Sequence, residues 1–176
     1  TILQLSYLFR LRRKRNRPQN PKRYLWELKA LAIREKKTYV LQTPEIPEHT
    51  VSIFLDFEGL PESNFIYLAG VLIRQPEKPD ETHSFWANDK SEEEIIFKQL
   101  IGLLQKYPEA PIFHYGRYET KAMRKWKVKD DQSFVDIEKR MMNVLSCVRT
   151  HVYPPTYTNG LKEIAELCQR AENEFA

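Results

Sequence analysis

Three β-like segments follow one another in the middle of the chain. The first is the apolar run that opens at Val51 and ends in Asp56-Phe57-Glu58; the others span residues 65–73 and 82–87. Short polar and proline-bearing connections separate them, which predicts antiparallel neighbours. Ser91-Glu-Glu-Glu94 has the spacing of a capping box. Behind it Ile95, Ile96, Leu100, Leu103 and Leu104 recur at helical spacing, so a helix is expected to run to about Lys106 and to end before Pro108 and Pro111. Residues 111–115 predict a short buried strand, 118–126 a helix, 134–137 another short strand and 138–148 a helix. A last amphipathic helix runs from Gly160 to about Glu172 through Leu161, Ile164, Ala165 and Leu167. The order βββαβαβαα is that of an α/β domain: a mixed five-stranded sheet, with an antiparallel meander on one side, parallel βαβ units on the other, and helices flanking it.

Upstream of these segments the pattern changes. Residues 1–9 predict the end of a preceding helix or a short one of their own, and 24–35 an amphipathic helix with Leu25, Leu28, Leu31 and Ala32 on its apolar face; 38–41 is β-like, and Pro44 and Pro47 mark a boundary. The chain thus divides into a basic amino-terminal extension with short helices, residues 1–47, and a larger domain, residues 48–176. Charge follows the same division. Residues 1–50 carry 12 Lys or Arg against 4 Asp or Glu, whereas residues 51–176 carry 16 against 20. Most of the basic excess is concentrated in Arg10, Arg12, Arg13, Lys14, Arg15, Arg17, Lys22 and Arg23, with no acid among them. Such a run is either a solvated linker or an arm that binds nucleic-acid phosphates by releasing counterions.

No apolar run approaches the roughly 20 residues that cross a bilayer, so a soluble chain with no membrane partner is expected. Only two cysteines occur, Cys147 and Cys168, without metal-ligand spacing. Each sits in an apolar, helical stretch as a small core residue, which fits a reducing, cytoplasmic setting better than a disulfide. Trp86 and Trp126 are expected in the core as large aromatics. The chain begins with Thr rather than Met and has no signal-peptide pattern, as expected of a segment of a longer polypeptide.

The chemistry lies in the acids. Side chains alternate faces along a strand, so Asp56 and Glu58 point to one spot while Phe57 points to the other face. By itself such a pair is either a solvated strand end or a site for a hard cation, Mg²⁺ or Mn²⁺, which takes oxygen ligands and activates water. The predicted topology adds to it. The strand at 111–115 should pair in parallel beside the first strand, and the helix after it would bring Glu119 to the edge where Asp56 and Glu58 emerge. Asp136 is expected to end the next strand at that same edge. Four acids at one edge repel one another, and a divalent site accounts for them.

Leu55-Asp-Phe-Glu-Gly59, Phe113-His-Tyr-Gly-Arg-Tyr-Glu119, Val135-Asp-Ile137 and Pro154-Pro-Thr-Tyr-Thr-Asn-Gly-Leu-Lys-Glu-Ile-Ala165 together resemble the ribonuclease H-like domain of predicted RecB-like nucleases, in the DEDD 3′–5′ exonuclease superfamily. The resemblance spans roughly residues 1–167. It implies a ribonuclease H-like fold, DNA or RNA as substrate, and phosphodiester hydrolysis with two Mg²⁺ or Mn²⁺ ions. Asp56, Glu58 and Glu119 would be the metal ligands, with Asp136 in support and Glu119 standing where many relatives have Asp. The superfamily's further acid, on a late helix, has no counterpart before Ala176. That implies a nuclease domain truncated at its carboxyl end, which is either active or inactive as it stands.

Other residues near these motifs carry two readings each. His114 and Tyr115 either orient a water or phosphate, or pack at a strand end. Arg117 either binds phosphate through its guanidinium fork or pairs with Glu119. Tyr157 and Lys162 either touch nucleic acid or are solvated, and Glu163, Glu166, Glu172 and Glu174 form a solvated helix face. At the level of function, a metal-dependent nuclease stands against a non-catalytic nucleic-acid-binding module of a larger protein.

Overall fold

The computed structural model describes residues 1–9, 24–126 and 132–175. In chain order the elements are α1 (Ile2–Ser6), α2 (Trp26–Glu35), β1 (Tyr39–Val40), β2 (Ser52–Leu60), β3 (Phe65–Arg74), β4 (Glu81–Trp86), α3 (Glu93–Gln105), β5 (Ile112–His114), α4 (Tyr118–Lys125), α5 (Gln132–Arg140), β6 (Met141–Asn143), α6 (Val144–Arg149), β7 (Val152–Tyr153) and α7 (Leu161–Phe175). They fall into two units, one of residues 47–144 and one of residues 1–46 together with 145–176.

The larger unit is built on a five-stranded mixed sheet in the order β4-β3-β2-β5-β6. β2 pairs antiparallel with β3 and β3 with β4, whereas β5 lies parallel to both β2 and β6. Period-two burial along β2 sends Ile53, Leu55 and Phe57 to one face, where they meet Ile73, Val71 and Ala69 of β3 in register. Ile96, Phe97, Leu100 and Leu104 of α3, Ala122 and Met123 of α4, and Phe134 and Ile137 of α5 close over that same face. Each fully buried Ile or Leu there contributes about 1.5–3 kcal/mol relative to solvent exposure. The guanidinium of Arg140 then ties the helices to the sheet, donating to the carbonyls of Leu104, Tyr107 and Ala110 where α3 ends and β5 begins.

Several sequence expectations are corrected here. Residues 134–137 are not a strand: Phe134 and Ile137 are buried one helical turn apart within α5, and the fifth strand is Met141–Asn143, inside a span expected to be helical. The capping box does not form, because the Ser91 hydroxyl donates to the Asp89 carboxylate and α3 begins one turn-phase later, with Glu92 as its cap residue. As a result Ile95 faces solvent at 54% exposure, and Glu93 takes its place in the core. Trp86 is likewise not a core residue, being 63% exposed at the end of β4, and Cys168 is exposed on α7. Trp126 is half-buried and stacked on Phe97 at 5.3 Å between ring centroids.

One irregularity shapes the sheet's edge. The β2–β3 register slips between Glu58 and Gly59: Glu58 stands opposite Leu68 but Gly59 opposite Ile66, so Tyr67 is the extra residue of a bulge. The chain closes tightly around this point. A Cβ on Gly59 would lie 2.1 Å from the Tyr118 hydroxyl and 2.6 Å from the Phe65 carbonyl oxygen.

The smaller unit has its own core, in which Leu28 and Ala32 of α2 pack on Tyr153 of β7. β7 pairs antiparallel with β1, and the Tyr153 hydroxyl accepts from the Leu25 backbone N–H at 3.1 Å, holding the start of α2. Lys29 is the unusual member. Its ammonium is buried and donates to the Pro154 carbonyl, the Thr156 hydroxyl and the Asn159 amide oxygen at 3.0, 3.0 and 2.8 Å. It therefore organises the Pro154–Asn159 loop from beneath. Burial lowers its pKa to about 8, with the Glu163 carboxylate opposing the shift.

Gly59→Ala should lower unfolding stability by about 1–3 kcal/mol, the cost of an added core methyl with nowhere to go. Adding Tyr118→Phe should restore only part of that in urea denaturation, because the Phe65 carbonyl still blocks the site. For Lys29, the folded chain binds protons less readily than the unfolded one between about pH 8 and the ordinary lysine value. The penalty for charging Lys29 is thus full below pH 8 and relieved as pH rises above it. In denaturation series from pH 7 to 10.5, the stability of the unaltered protein should rise relative to Lys29→Met across that window.

Candidate active site

β2 places Asp56 and Glu58 on the face opposite Ile53, Leu55 and Phe57, both exposed and two residues apart at the carboxyl end of the central strand. β5 runs parallel beside β2, with Ile112 and Phe113 opposite Ile53 and Phe54, so its carboxyl end reaches the same edge. There the chain turns through Gly116, whose φ of 106° lies in a region that only glycine adopts readily, and whose N–H donates to the Asn143 side chain at the end of β6. The turn delivers Glu119 into the first turn of α4, where the helix dipole favours an anion.

Glu119 is 3% exposed, and its position follows from helix period: Ala122 and Met123, three and four residues on, are buried with it. Its Oε2 lies 3.4 Å from the Nδ1 of buried His114, and neither of these atoms has a hydrogen-bond partner. His114 Nε2 stands 3.4 Å from the Thr120 hydroxyl. The expected ion pair of Arg117 with Glu119 is not among the ion pairs of the described residues; Arg117 is exposed at the cap of α4.

The acids act on one another electrostatically. Asp56 is open to solvent on one side and enclosed by protein on the other, which raises its pKa; the charges of Glu119 and Glu58 push it further in the same direction. Tyr118, its hydroxyl against Gly59, is also raised, first by burial and then by Glu58, Glu93 and Glu119. Among the described residues, no group of three or more His, Cys, Asp or Glu side chains is arranged to hold a metal ion directly. The donor chemistry nonetheless fits a hard divalent cation: Asp56, Glu58 and Glu119 offer oxygen alone, their mutual repulsion would be relieved by one, and Glu119 has a buried oxygen with no partner.

Asp136 does not end a strand: it lies within α5, ahead of β6, and its carboxylate accepts from Lys139 at 3.2 Å. The strand-end position expected for it is filled by Asn143. Lys162 and Tyr157 are exposed in the smaller unit, and Glu163 accepts from the backbone N–H and hydroxyl of Thr158 ahead of α7. Arg12, Arg13, Lys14 and Arg15 lie outside the described residues.

Sequence reasoning missed Glu93. It is fully buried beside the candidate site and accepts from the Ile66 N–H, released by the bulge, at 3.0 Å and from Lys125 Nζ at 2.7 and 2.9 Å. A signal was present: of the three glutamates at 92–94, only Glu93 is in helical phase with Ile96, Phe97 and Leu100. Glu93→Ala would leave Lys125 unpaired and the Ile66 N–H unsatisfied, and should cost about 3–5 kcal/mol in chemical denaturation. Glu93→Gln, which keeps an acceptor for Ile66, should cost less.

No curated protein and no solved structure matches the chain. A family model of the RNase H superfamily matches residues 53–173, from the strand that carries Asp56 and Glu58 to the last helix. The central β2, the parallel β5 beside it and the acids at their common edge sit within that match. The chain belongs to the RNase H superfamily.

Proposed function

We propose that this nuclease-type domain is a metal-dependent nuclease of the DEDD, RecB-like kind, hydrolysing phosphodiester bonds of DNA or RNA from an end. The observation that carries the reading is the gathering of Asp56, Glu58 and Glu119 at the carboxyl edge of β2 and β5, where the charges of Glu119 and Glu58 add to burial in raising the Asp56 pKa. Stability gives no reason to gather like charges there, whereas phosphoryl chemistry does. Mg²⁺ or Mn²⁺, two ions held by Asp56, Glu58 and Glu119, would supply the Lewis acidity that lowers the pKa of the attacking water and offsets charge on the scissile phosphate. His114 positions Glu119 from the buried side and keeps water away from that flank. Arg117, exposed at the same edge, presents a guanidinium fork to a phosphate. In the basic arm, Arg12, Arg13, Lys14 and Arg15 hold substrate by its backbone without reading sequence.

A second reading, a non-catalytic nucleic-acid-binding module, is favoured by one observation: the carboxylate of Glu119 faces His114. Cleavage separates the two. Incubated with Mn²⁺ and end-labelled DNA or RNA, the 176-residue protein should shorten its substrate from one end, and Asp56→Asn or Glu119→Gln should slow this by roughly 10²–10³, the scale of losing one group that stabilises the transition state. Binding without Mn²⁺-dependent cleavage would favour the module. In either case, replacing the four arm residues with Ala should flatten the salt dependence of binding.

A further inference from the structure

The open face of the sheet carries a feature that the acids do not explain. Across β2, β3 and β4 the register aligns Glu58 with Leu68 and Trp86, and Asp56 with Gly70 and Ser84. Trp86 therefore stands on the same face as the acids and near the same edge, two strands away, about 10 Å from Glu58 at ordinary strand spacing. Its indole is 63% exposed, yet its position is fixed. Leu68 pairs with it, the Ala87 N–H donates to the Tyr67 carbonyl at 2.9 Å, and the Tyr67 ring stacks on it at 6.3 Å with 22° between planes. Phe65, which packs on the core, lies 6.4 Å from Tyr67. The bulge that places Tyr67 beside Leu68 is what gives this aromatic row its backing.

Between the platform and the acids the surface is low. Gly70 has no side chain, and a Cβ built there would meet only the Asp56 carbonyl oxygen, at 3.7 Å. Its φ is not in the left-handed region, so strand geometry does not require glycine; the consequence of glycine here is a clear lane from Ser84 to Asp56. A cation stands at the same end of the sheet. Lys90, four residues beyond Trp86, is held on the Ser63 carbonyl at the β2–β3 turn at 3.0 Å.

We infer that Trp86, backed by Tyr67, is a stacking platform for an unpaired base of single-stranded nucleic acid, whose backbone crosses Gly70 to bring a phosphate to Asp56 and Glu58. The inference rests on the nuclease reading and names its substrate class. A flat, exposed aromatic ring gives stacking affinity to a partner with a free π-face. Bases of a duplex are covered by their neighbours, whereas every unpaired base offers one. The Lys90 ammonium supplies the complementary charge for the backbone of that strand.

The test measures binding by fluorescence anisotropy in an Asp56→Asn background, so that turnover does not interfere, with Mg²⁺ present and two probes: a labelled 12-nucleotide oligo(dT) and a blunt duplex of the same length. Adding Trp86→Ala should weaken oligo(dT) binding about tenfold and leave duplex binding within twofold, and Trp86→Phe should retain most of the affinity. Gly70→Val, which stands a branched side chain in the lane, should weaken oligo(dT) binding as well. Trp86 is exposed, so its removal should leave the circular dichroism spectrum and melting temperature unchanged. Oligo(dT) binding unaffected by Trp86→Ala would overturn the platform and leave the nuclease reading standing; so would an equal loss on both probes, or a Trp86→Ala effect on self-association alone. If the Asp56→Asn protein binds neither probe, the nuclease reading itself falls, and the platform with it.

Discussion

A carboxylate taken out of water costs several kcal/mol unless a cation and hydrogen-bond donors meet it, and in the larger unit Glu93 is met by both. Its oxygens gather three donations: one from Ile66 at the β3 bulge and two from Lys125 near the end of α4. Through this one group the amino terminus of α3 is fastened to the sheet and to the helix that carries Glu119. The bulge is what makes Ile66 available, the bulge sits between Glu58 and Gly59, and Gly59 leaves room for Tyr118 of the same α4. The position of the acidic edge thus depends on a salt bridge that is not itself in the edge. Lys125 also donates to the Asn64 carbonyl, which holds the β2–β3 turn in the same arrangement.

The three outward acids show the reverse condition. Among the described residues no lysine or arginine is ion-paired with Asp56, Glu58 or Glu119, and the Asp56 pKa is raised first by burial and then by the charges of Glu119 and Glu58. Within one unit, a carboxylate matched with a lysine stands beside three that are not. The matched one has a structural role. The unmatched ones are placed chiefly by backbone: the period of β2, the Gly116 turn and the first turn of α4, with His114 against one oxygen of Glu119. Placement by backbone leaves the Asp56 and Glu58 carboxylates exposed to a ligand.

Much of this was legible in the sequence, and the reasons are local. The alternation through β2 fixed the shared face of Asp56 and Glu58, because a strand with one buried face tolerates no slip of register. The short links of the meander, and the parallel pairing expected of residues 111–115 with the first strand, carried the topology through β5 and brought the start of the next helix to the acidic edge. What failed was the stretch after residue 126. Phe134-Val-Asp-Ile137 is too short for its apolar pattern to distinguish strand from helix, and the true strand, Met141–Asn143, has no pattern of its own. Asp136 therefore lies on a helix, and the strand end beside His114 carries Asn143. Trp86 was misplaced for a different reason. Size predicts burial on average, but a strand's outward positions at a sheet edge are set by register, and Trp86 shares its row with Glu58.

The sheet's connectivity also bears on how the protein assembles. β2, β3 and β4 pair through short turns, so their contacts are local and need little loop closure. The parallel pairing of β5 with β2 instead closes a loop that contains the whole of β3, β4 and α3, and only then does α4 bring Glu119 toward Asp56. If local contacts form first, as low sequence separation favours, the meander would assemble with Asp56 and Glu58 still well hydrated, and the Asp56–Glu119 repulsion would arise only when α4 docks. A domain built in this order collects the electrostatic burden of its chemistry after the scaffold that must bear it is already in place.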